Sequence, residues 1–98
     1  MITTLSPAFE FIYDGCISSI YHADVGEGLP KHGHAYAHAV YVAAGSVIIR
    51  KDGVEKIADK HTQPINLTAG EWHEIEALEN GTVFVNVFSE EKQRLVGY

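Results

Sequence analysis

Short runs of alternating or mostly apolar residues recur along the chain, and turn-forming residues separate them. Alternation of this kind, with β-branched and aromatic residues, is typical of β-strands. The runs predict strands over 9–13, 16–23, 46–50, 54–57, 65–67, 72–78 and 82–89. Hairpin signals are Asp14-Gly15, Lys51-Asp52-Gly53 and Asn80-Gly81, the last being the strongest. About eight short strands at spacings of about ten residues predict an all-β sandwich or barrel.

A histidine-rich segment follows the second of these runs. Residues 24–31 carry two glycines and a proline and predict a loop, while residues 32–44 predict one long strand or a bent pair. His32, His34 and His38 lie at spacings of two and four. Side chains of an extended strand alternate between its faces, so the three imidazoles would share one face. Neutral imidazoles that converge on one point are ligands for divalent transition metals.

Other residues near these histidines are candidates for the wall of a site. Tyr36 lies on the histidine face, where its hydroxyl can bond a ligand or orient a water, the alternative being a tyrosine at the rim. Val40 and Val42 continue the same face and would form its apolar floor. A fourth histidine, His73, precedes Ile75 by two residues, so both would point the same way.

The strand predicted over 82–89 has two candidate inward faces. One carries Phe84, Asn86 and Phe88, and the other carries three valines. We favour the phenylalanine face as the inward one because Asn86 would then supply a polar group near the histidines, although the opposite register fits nearly as well. His22 and His61 are expected to be exposed polar residues.

The histidine segment resembles the first sequence motif of the cupin family. Its fixed positions are Gly26, His32, His34, His38 and Gly45, and their spacing matches G-x5-H-x-H-x3-E-x6-G throughout. Histidine stands at position 38, where that motif usually has glutamate. This first motif spans 26–45.

Residues 68–77 resemble the second cupin motif, P-x-G-x2-H-x3-N. Gly70 and His73 match it, whereas Thr68 and Ala77 replace its proline and asparagine. The resemblance implies a small jelly-roll barrel formed by one domain over 1–98. It also implies a metal site whose ligands are His32, His34, His38 and His73.

Four neutral ligands leave a divalent ion with its full positive charge, which makes it a stronger Lewis acid than a site with a carboxylate ligand. We expect one ion per chain, and iron, manganese, nickel, copper and zinc all suit imidazole. An octahedral ion would keep two positions for water, dioxygen or substrate. Protons compete for the same nitrogens, so binding should weaken as the pH falls through about 6.5.

Composition limits the remaining functions. The chain has 98 residues, a formal net charge of −6 and no basic cluster, which argues against nucleic acid and anionic membranes as partners. A single cysteine, Cys16, fits a reducing compartment, and no signal peptide or long apolar run is evident, so a cytoplasmic location is expected. We expect a homodimer, which would cover Trp72 and the small residues Ala35, Ala37 and Ala39.

Three functions fit these features. The first is a metal-dependent oxidoreductase, resembling cupin dioxygenases, that acts on a small organic molecule. The second is a non-catalytic module that binds a small ligand or the metal. The third is an isomerase or lyase that uses the metal as a Lewis acid. The sequence leaves open whether the protein is an enzyme.

Overall fold

The structure, a computed structural model, describes residues 2–33, 37–68 and 70–89 and consists there of two five-stranded β-sheets. One sheet has the order β1-β4-β9-β6-β7, and the other has the order β2-β3-β10-β5-β8. The strands are β1 (Thr3–Thr4), β2 (Phe9–Tyr13), β3 (Cys16–Ala23), β4 (Glu27–His32), β5 (His38–Ala44), β6 (Ser46–Lys51), β7 (Val54–Asp59), β8 (Ile65–Leu67), β9 (His73–Ala77) and β10 (Thr82–Ser89). We call these sheets the β9 sheet and the β10 sheet. No helix long and apolar enough to cross a membrane occurs in the described part of the chain.

The predicted all-β fold is confirmed. Four strands, β2, β3, β8 and β10, have the predicted bounds, while β6 and β7 run slightly further than predicted. The hairpin signals at 14–15 and 52–53 also form, since Asp14 and Asp52 adopt positive φ beside their glycines, as a tight two-residue turn requires.

The prediction of a loop over 24–31 is wrong, because β4 occupies most of this range. β4 pairs antiparallel with β9, and a Cβ atom at Gly28 would lie 2.0 Å from the carbonyl oxygen of Ile75. Gly28 therefore permits a close approach between strands instead of marking a turn. Pro30, which cannot donate a backbone hydrogen bond, lies where the β4–β9 register shifts.

The histidine segment is also not one strand with a single face. β4 ends at His32 in the β9 sheet, and β5 begins at His38 in the β10 sheet. The even spacing of these residues therefore does not explain their orientation, because the chain passes from one sheet to the other between them.

Asn80-Gly81 does not join a hairpin, since β9 and β10 belong to different sheets. Long-range polar contacts hold this turn instead. The backbone amide of Val25 donates to Asn80 Oδ1 at 3.0 Å, and that of Gly81 donates to Asp24 Oδ1 at 3.1 Å. The turn is thus tied to the loop that precedes β4.

The hydrophobic core lies between the inner faces of the two sheets. Val47, Ile49 and Ile75 come from the β9 sheet and pack in one cluster with residues of the β10 sheet. There, the rings of Tyr21 and Phe84 stack with centroids 4.8 Å apart. The predicted metal ligands His38 and His73 lie at the same inner faces, beside this cluster.

Candidate metal centre

Three of the predicted ligands, His32, His38 and His73, lie side by side in the structure. His32 is paired with His73 across β4 and β9, and their ring centroids are 4.4 Å apart in an edge-on arrangement. His38 approaches from the opposite sheet, with its Nε2 3.4 Å from Nε2 of His73. His38 and His73 are both buried. The convergence arises between two sheets and not along one strand.

Backbone carbonyl groups orient two of these rings. His32 Nδ1–H donates to the carbonyl oxygen of Pro30 at 2.6 Å, and His73 Nδ1–H donates to that of Glu71 at 3.3 Å. A proton on Nδ1 places the lone pair on Nε2, which is the common arrangement of histidine ligands of metals. The two imidazoles are therefore held in the tautomer that leaves Nε2 free to bind a metal ion.

The distance between His38 Nε2 and His73 Nε2 tests whether these residues fit a metal. Two nitrogens about 2.1 Å from one ion are about 3.4 Å apart when the angle at the ion is near tetrahedral. The observed 3.4 Å matches that separation, is about 0.4 Å longer than the separation at the 90° angle of an octahedral ion, and also suits a hydrogen bond from His38 Nε2–H to His73. This pair of side chains fits a shared ion.

The full set of four ligands stays a prediction. Among the described residues, no group of three or more histidine, cysteine, aspartate or glutamate side chains is arranged to hold a metal ion. The His32 ring contacts the His73 ring, but His32, His38 and His73 are not placed so that all three bind one ion. His34 and the candidate catalytic residue Tyr36 lie outside the described residues.

A cavity of about 390 Å³ opens beside the histidines, and His32 and His38 form part of its wall. Asn86 and Phe88 of β10 line it. Both residues were predicted to point inward on the face of this strand that also carries Phe84. Glu10 of β2 and Ser19 of β3 also line it, although neither residue was predicted from the sequence to do so.

The other residues predicted to line the pocket belong to the hydrophobic core instead. Val40, Val42, Ile75 and Phe84 are all at most 4% exposed and pack in the central cluster, away from the cavity wall. They face inward, as their strand positions require, but the core of a small barrel fills the space around them. The apolar floor expected from Val40 and Val42 is therefore part of the core.

A tight turn before β9 fixes the group that orients His73. The backbone amide of Thr68 donates to the Glu71 carboxylate at 3.0 Å, and the Glu71 amide donates back to the Thr68 carbonyl oxygen at 3.3 Å. Hydrogen bonding from Thr68 lowers the pKa of Glu71 below its ordinary value. The closed turn presents the Glu71 carbonyl oxygen to His73.

Three other predicted positions are exposed. His22 and His61 are exposed, as expected for polar surface residues. Trp72 is 57% exposed and forms part of the wall of a second, smaller cavity of about 270 Å³ with Lys51 and His73. It does not pack within a sheet, and its predicted contact with a partner subunit stays a prediction.

Comparison with solved structures identifies the fold. A cupin-2 domain protein from Shewanella frigidimarina is similar with a TM-score of 0.71 at 13% identity, covering 91% of this chain and 84% of that one. A protein with a double-stranded β-helix domain from Klebsiella pneumoniae gives 0.70 at 16% identity, covering 87% and 73%. KdgF from Halomonas sp. gives 0.63 at 18% identity, covering 87% and 89%.

No protein-family model matches the chain, and no curated protein matches its sequence. At these low identities, structural similarity establishes the fold and not the activity. The chain has the jelly-roll fold, or double-stranded β-helix, of cupin proteins.

Proposed function

We propose that this protein binds one divalent transition metal ion per chain and uses it to oxidise a small organic molecule, in the manner of a dioxygenase. The ligands are His32, His38 and His73, together with His34, which the sequence motif adds. The observation that carries the proposal is the pair of Nε2 atoms of His38 and His73, 3.4 Å apart beside a cavity of about 390 Å³.

The chain contributes a preorganised and largely apolar surrounding for such an ion. The Pro30 and Glu71 carbonyl groups fix the ring orientations of His32 and His73 before any ion binds. Burial of His38 and His73 limits the access of water to the shared point between them. A bound ion would supply Lewis acidity and, if it is iron, manganese or copper, redox chemistry.

A substrate would occupy the cavity beside His32 and His38. The aromatic ring of Phe88 offers an apolar contact surface, and the Asn86 amide offers a polar one. Together they can orient a small molecule of mixed polarity against the histidines. The protein would thus fix the position of the substrate relative to the ion.

Lewis-acid isomerisation or elimination is a second candidate, favoured by the Glu10 carboxylate on the cavity wall. A carboxylate there can accept and return a proton without any change of oxidation state. Such a reaction would work equally well with zinc, whereas oxidation by dioxygen would not.

The test is metal content, measured by mass spectrometry on untagged protein purified without chelator or added metal. About one equivalent of iron, manganese or copper per chain, with oxygen uptake on adding substrate candidates, is the result expected for an oxygenase. One equivalent of zinc alone would favour the Lewis-acid reaction. Little metal, and no uptake when each ion is titrated in, would contradict both and favour a non-catalytic module that binds a small ligand.

A further inference from the structure

Two side chains of opposite charge line the cavity beside the histidines, and they come from opposite sheets. Glu10 lies on β2 of the β10 sheet, and Lys31 lies on β4 of the β9 sheet. They are the only aspartate, glutamate, lysine or arginine side chains among the described residues of the cavity wall. Neither forms a salt bridge with the other or with any further residue that the structure describes. The cavity therefore presents one negative and one positive group that no described neighbour pairs.

A buried hydroxyl group holds the carboxylate of Glu10 at the cavity wall. Glu10 is directly opposite Ser19 in the β2–β3 pair, and Ser19 Oγ–H donates to Glu10 Oε2. Ser19 is only 2% exposed, so its hydroxyl has little access to water as an alternative partner. The other carboxylate oxygen, Oε1, accepts no hydrogen bond from any described residue. Glu10 can therefore accept a hydrogen bond from a ligand while Ser19 keeps it in place.

An irregularity in β4 places Lys31 next to the histidines. Between the pairs Leu29–Ile75 and His32–His73, β4 has one residue more than β9. A bulge of this kind redirects the side chains within it. Lys31 lies in the bulge and lines both this cavity and the smaller one of about 270 Å³. Its ammonium group is thus available to a ligand in the cavity that Glu10 also lines.

The amide of Asn86 adds hydrogen-bond donors to the same wall. Asn86 Oδ1 is buried and has no partner among the described residues. The Nδ2–H groups of Asn86 also make no hydrogen bond to a described residue, but Nδ2, unlike Oδ1, is not buried. Because Asn86 lines the cavity, these donors favour a ligand that carries an acceptor.

From these positions we infer that the cavity binds a zwitterionic amino acid. The ammonium group of such a ligand donates to Glu10, and its carboxylate accepts from Asn86 and pairs with Lys31. Leu29 and Phe88 offer an apolar surface to the rest of the molecule. A ligand with an ammonium group alone leaves Lys31 and Asn86 without partners. A ligand with a carboxylate alone meets the negative charge of Glu10.

Solvent limits what each of the two charges contributes. Glu10 and Lys31 are both exposed, so water and salt screen their interactions with a ligand. We therefore expect each charge to change the affinity by about two- to fivefold. A ligand with both charges gains from both groups, and its binding should weaken when the salt concentration is raised.

The inference rests on the proposed function in taking this cavity as the substrate site, and it adds the substrate class. Three probes share a phenyl group: L-phenylalanine, 2-phenylethylamine, which lacks the carboxylate, and 3-phenylpropanoate, which lacks the ammonium group. Each is titrated into metal-free protein at constant ionic strength, and at a mildly alkaline pH that keeps the histidines neutral, while amide NMR shifts are followed. L-phenylalanine is expected to bind about two- to fivefold more tightly than 2-phenylethylamine. 3-Phenylpropanoate should bind least tightly, because Glu10 also repels it.

Two variants that each remove one charge should have crossed effects. Glu10→Gln should weaken the binding of L-phenylalanine and 2-phenylethylamine but not that of 3-phenylpropanoate, because only the first two carry an ammonium group. Lys31→Gln should weaken the binding of L-phenylalanine and 3-phenylpropanoate but not that of 2-phenylethylamine. Glu55→Gln and Lys56→Gln are matched controls, since they make the same changes of charge at exposed positions of β7 that do not line the cavity.

Binding of either analogue as tight as that of L-phenylalanine, or no detectable binding of any probe, would overturn the inference. A response to Lys31→Gln without a response to Glu10→Gln would also overturn it, because it would place the ligand in the smaller cavity. Equal effects of the variants and their controls would do the same. The crossed pattern in a protein that takes up no metal would support the amino-acid site and refute only the proposed metal chemistry. Metal uptake without the crossed pattern would refute the amino-acid site alone.

Discussion

At the scale of single residues, the contact between His38 and His73 depends on side chains supplied by opposite sheets. His38 is the first residue of β5, and His73 is the first residue of β9. Each histidine is therefore at the end of a strand. Pairing within the sheet fixes its backbone, and its imidazole extends towards the opposite sheet. An ion held between them would link the two sheets in addition to any chemical role.

Replacing His38 tests its role as a ligand. We expect His38→Ala to lower metal affinity by at least about 10- to 100-fold, because losing a ligand should cost no less than losing one of its supporting hydrogen bonds. Metal content after dialysis against a fixed concentration of free ion measures the effect, with circular dichroism to verify the β-fold. His61→Ala is the matched control, since His61 is exposed on a loop. Equal metal content in the two variants would remove His38 from the ligand set.

Spacing in the sequence predicted that His32, His38 and His73 lie close together, but for a reason that the structure corrects. The motif grouped His32 with His38, whereas the argument from a shared strand face failed because these two residues belong to different sheets. Glu10 could have been found. The turn signal at 14–15 places Tyr13 opposite Cys16, and counting back along the hairpin places Glu10 opposite Ser19. The burial of Asn86, which is only 6% exposed, depends on tertiary packing and could not be read from spacing.

At the scale of strands, the passage from β5 to β6 depends on Gly45, the last fixed position of the first motif. Gly45 has φ of +73° and lies against the first residue of β10, Thr82, which is fully buried. A Cβ atom at this position would lie 2.3 Å from Thr82 Oγ1. Two demands thus coincide at Gly45, a left-handed backbone and a close approach to another strand.

The variant Gly45→Ala separates these two demands when it is compared with Gly53→Ala. Gly53 has nearly the same φ, +75°, but a Cβ atom there would meet nothing within 4 Å. We expect Gly53→Ala to lower the free energy of unfolding by about 1–2 kcal/mol through backbone strain alone. Gly45→Ala should lose a further 1–3 kcal/mol, roughly, from overpacking against Thr82. Urea denaturation measures both, and equal losses would show that the contact with Thr82 relaxes without cost.

Strand prediction succeeded where local signals and tertiary structure agree, and failed where they conflict. β2 and β3 were predicted with their bounds because Asp14-Gly15 forms the hairpin that its residues favour. β4 was missed because Gly28 and Pro30 favour a loop locally, whereas pairing with β9 requires an extended chain. Only the packing of Gly28 against Ile75 reveals why glycine suits a strand there.

At the scale of the whole molecule, the two sheets leave apolar side chains exposed at their edges. β2 is an edge strand that pairs only with β3 among the described strands. Its apolar residues are Phe9, Phe11, Ile12 and Tyr13, which are 54%, 50%, 60% and 77% exposed. An apolar edge strand with unpaired backbone groups tends to pair with another chain. This edge offers more exposed apolar surface than the single Trp72 on which the sequence-based prediction of a dimer partly rested.

We propose that a second copy of this chain covers β2, with the two β2 strands antiparallel about a two-fold axis. Light scattering at tens of micromolar should then give twice the 10.8 kDa mass of one chain. Phe11→Lys should produce a monomer, because it places like charges close to each other across the two-fold axis and removes apolar contact. Ile57→Lys is the matched control, since Ile57 is 65% exposed on β7, the edge strand of the other sheet. A monomeric parent protein would refute the dimer, and a dimer broken by Ile57→Lys alone would move the interface to β7. Because Glu10 lies on β2, a dimer through this edge would also hold in place the strand that brings Glu10 to the cavity wall.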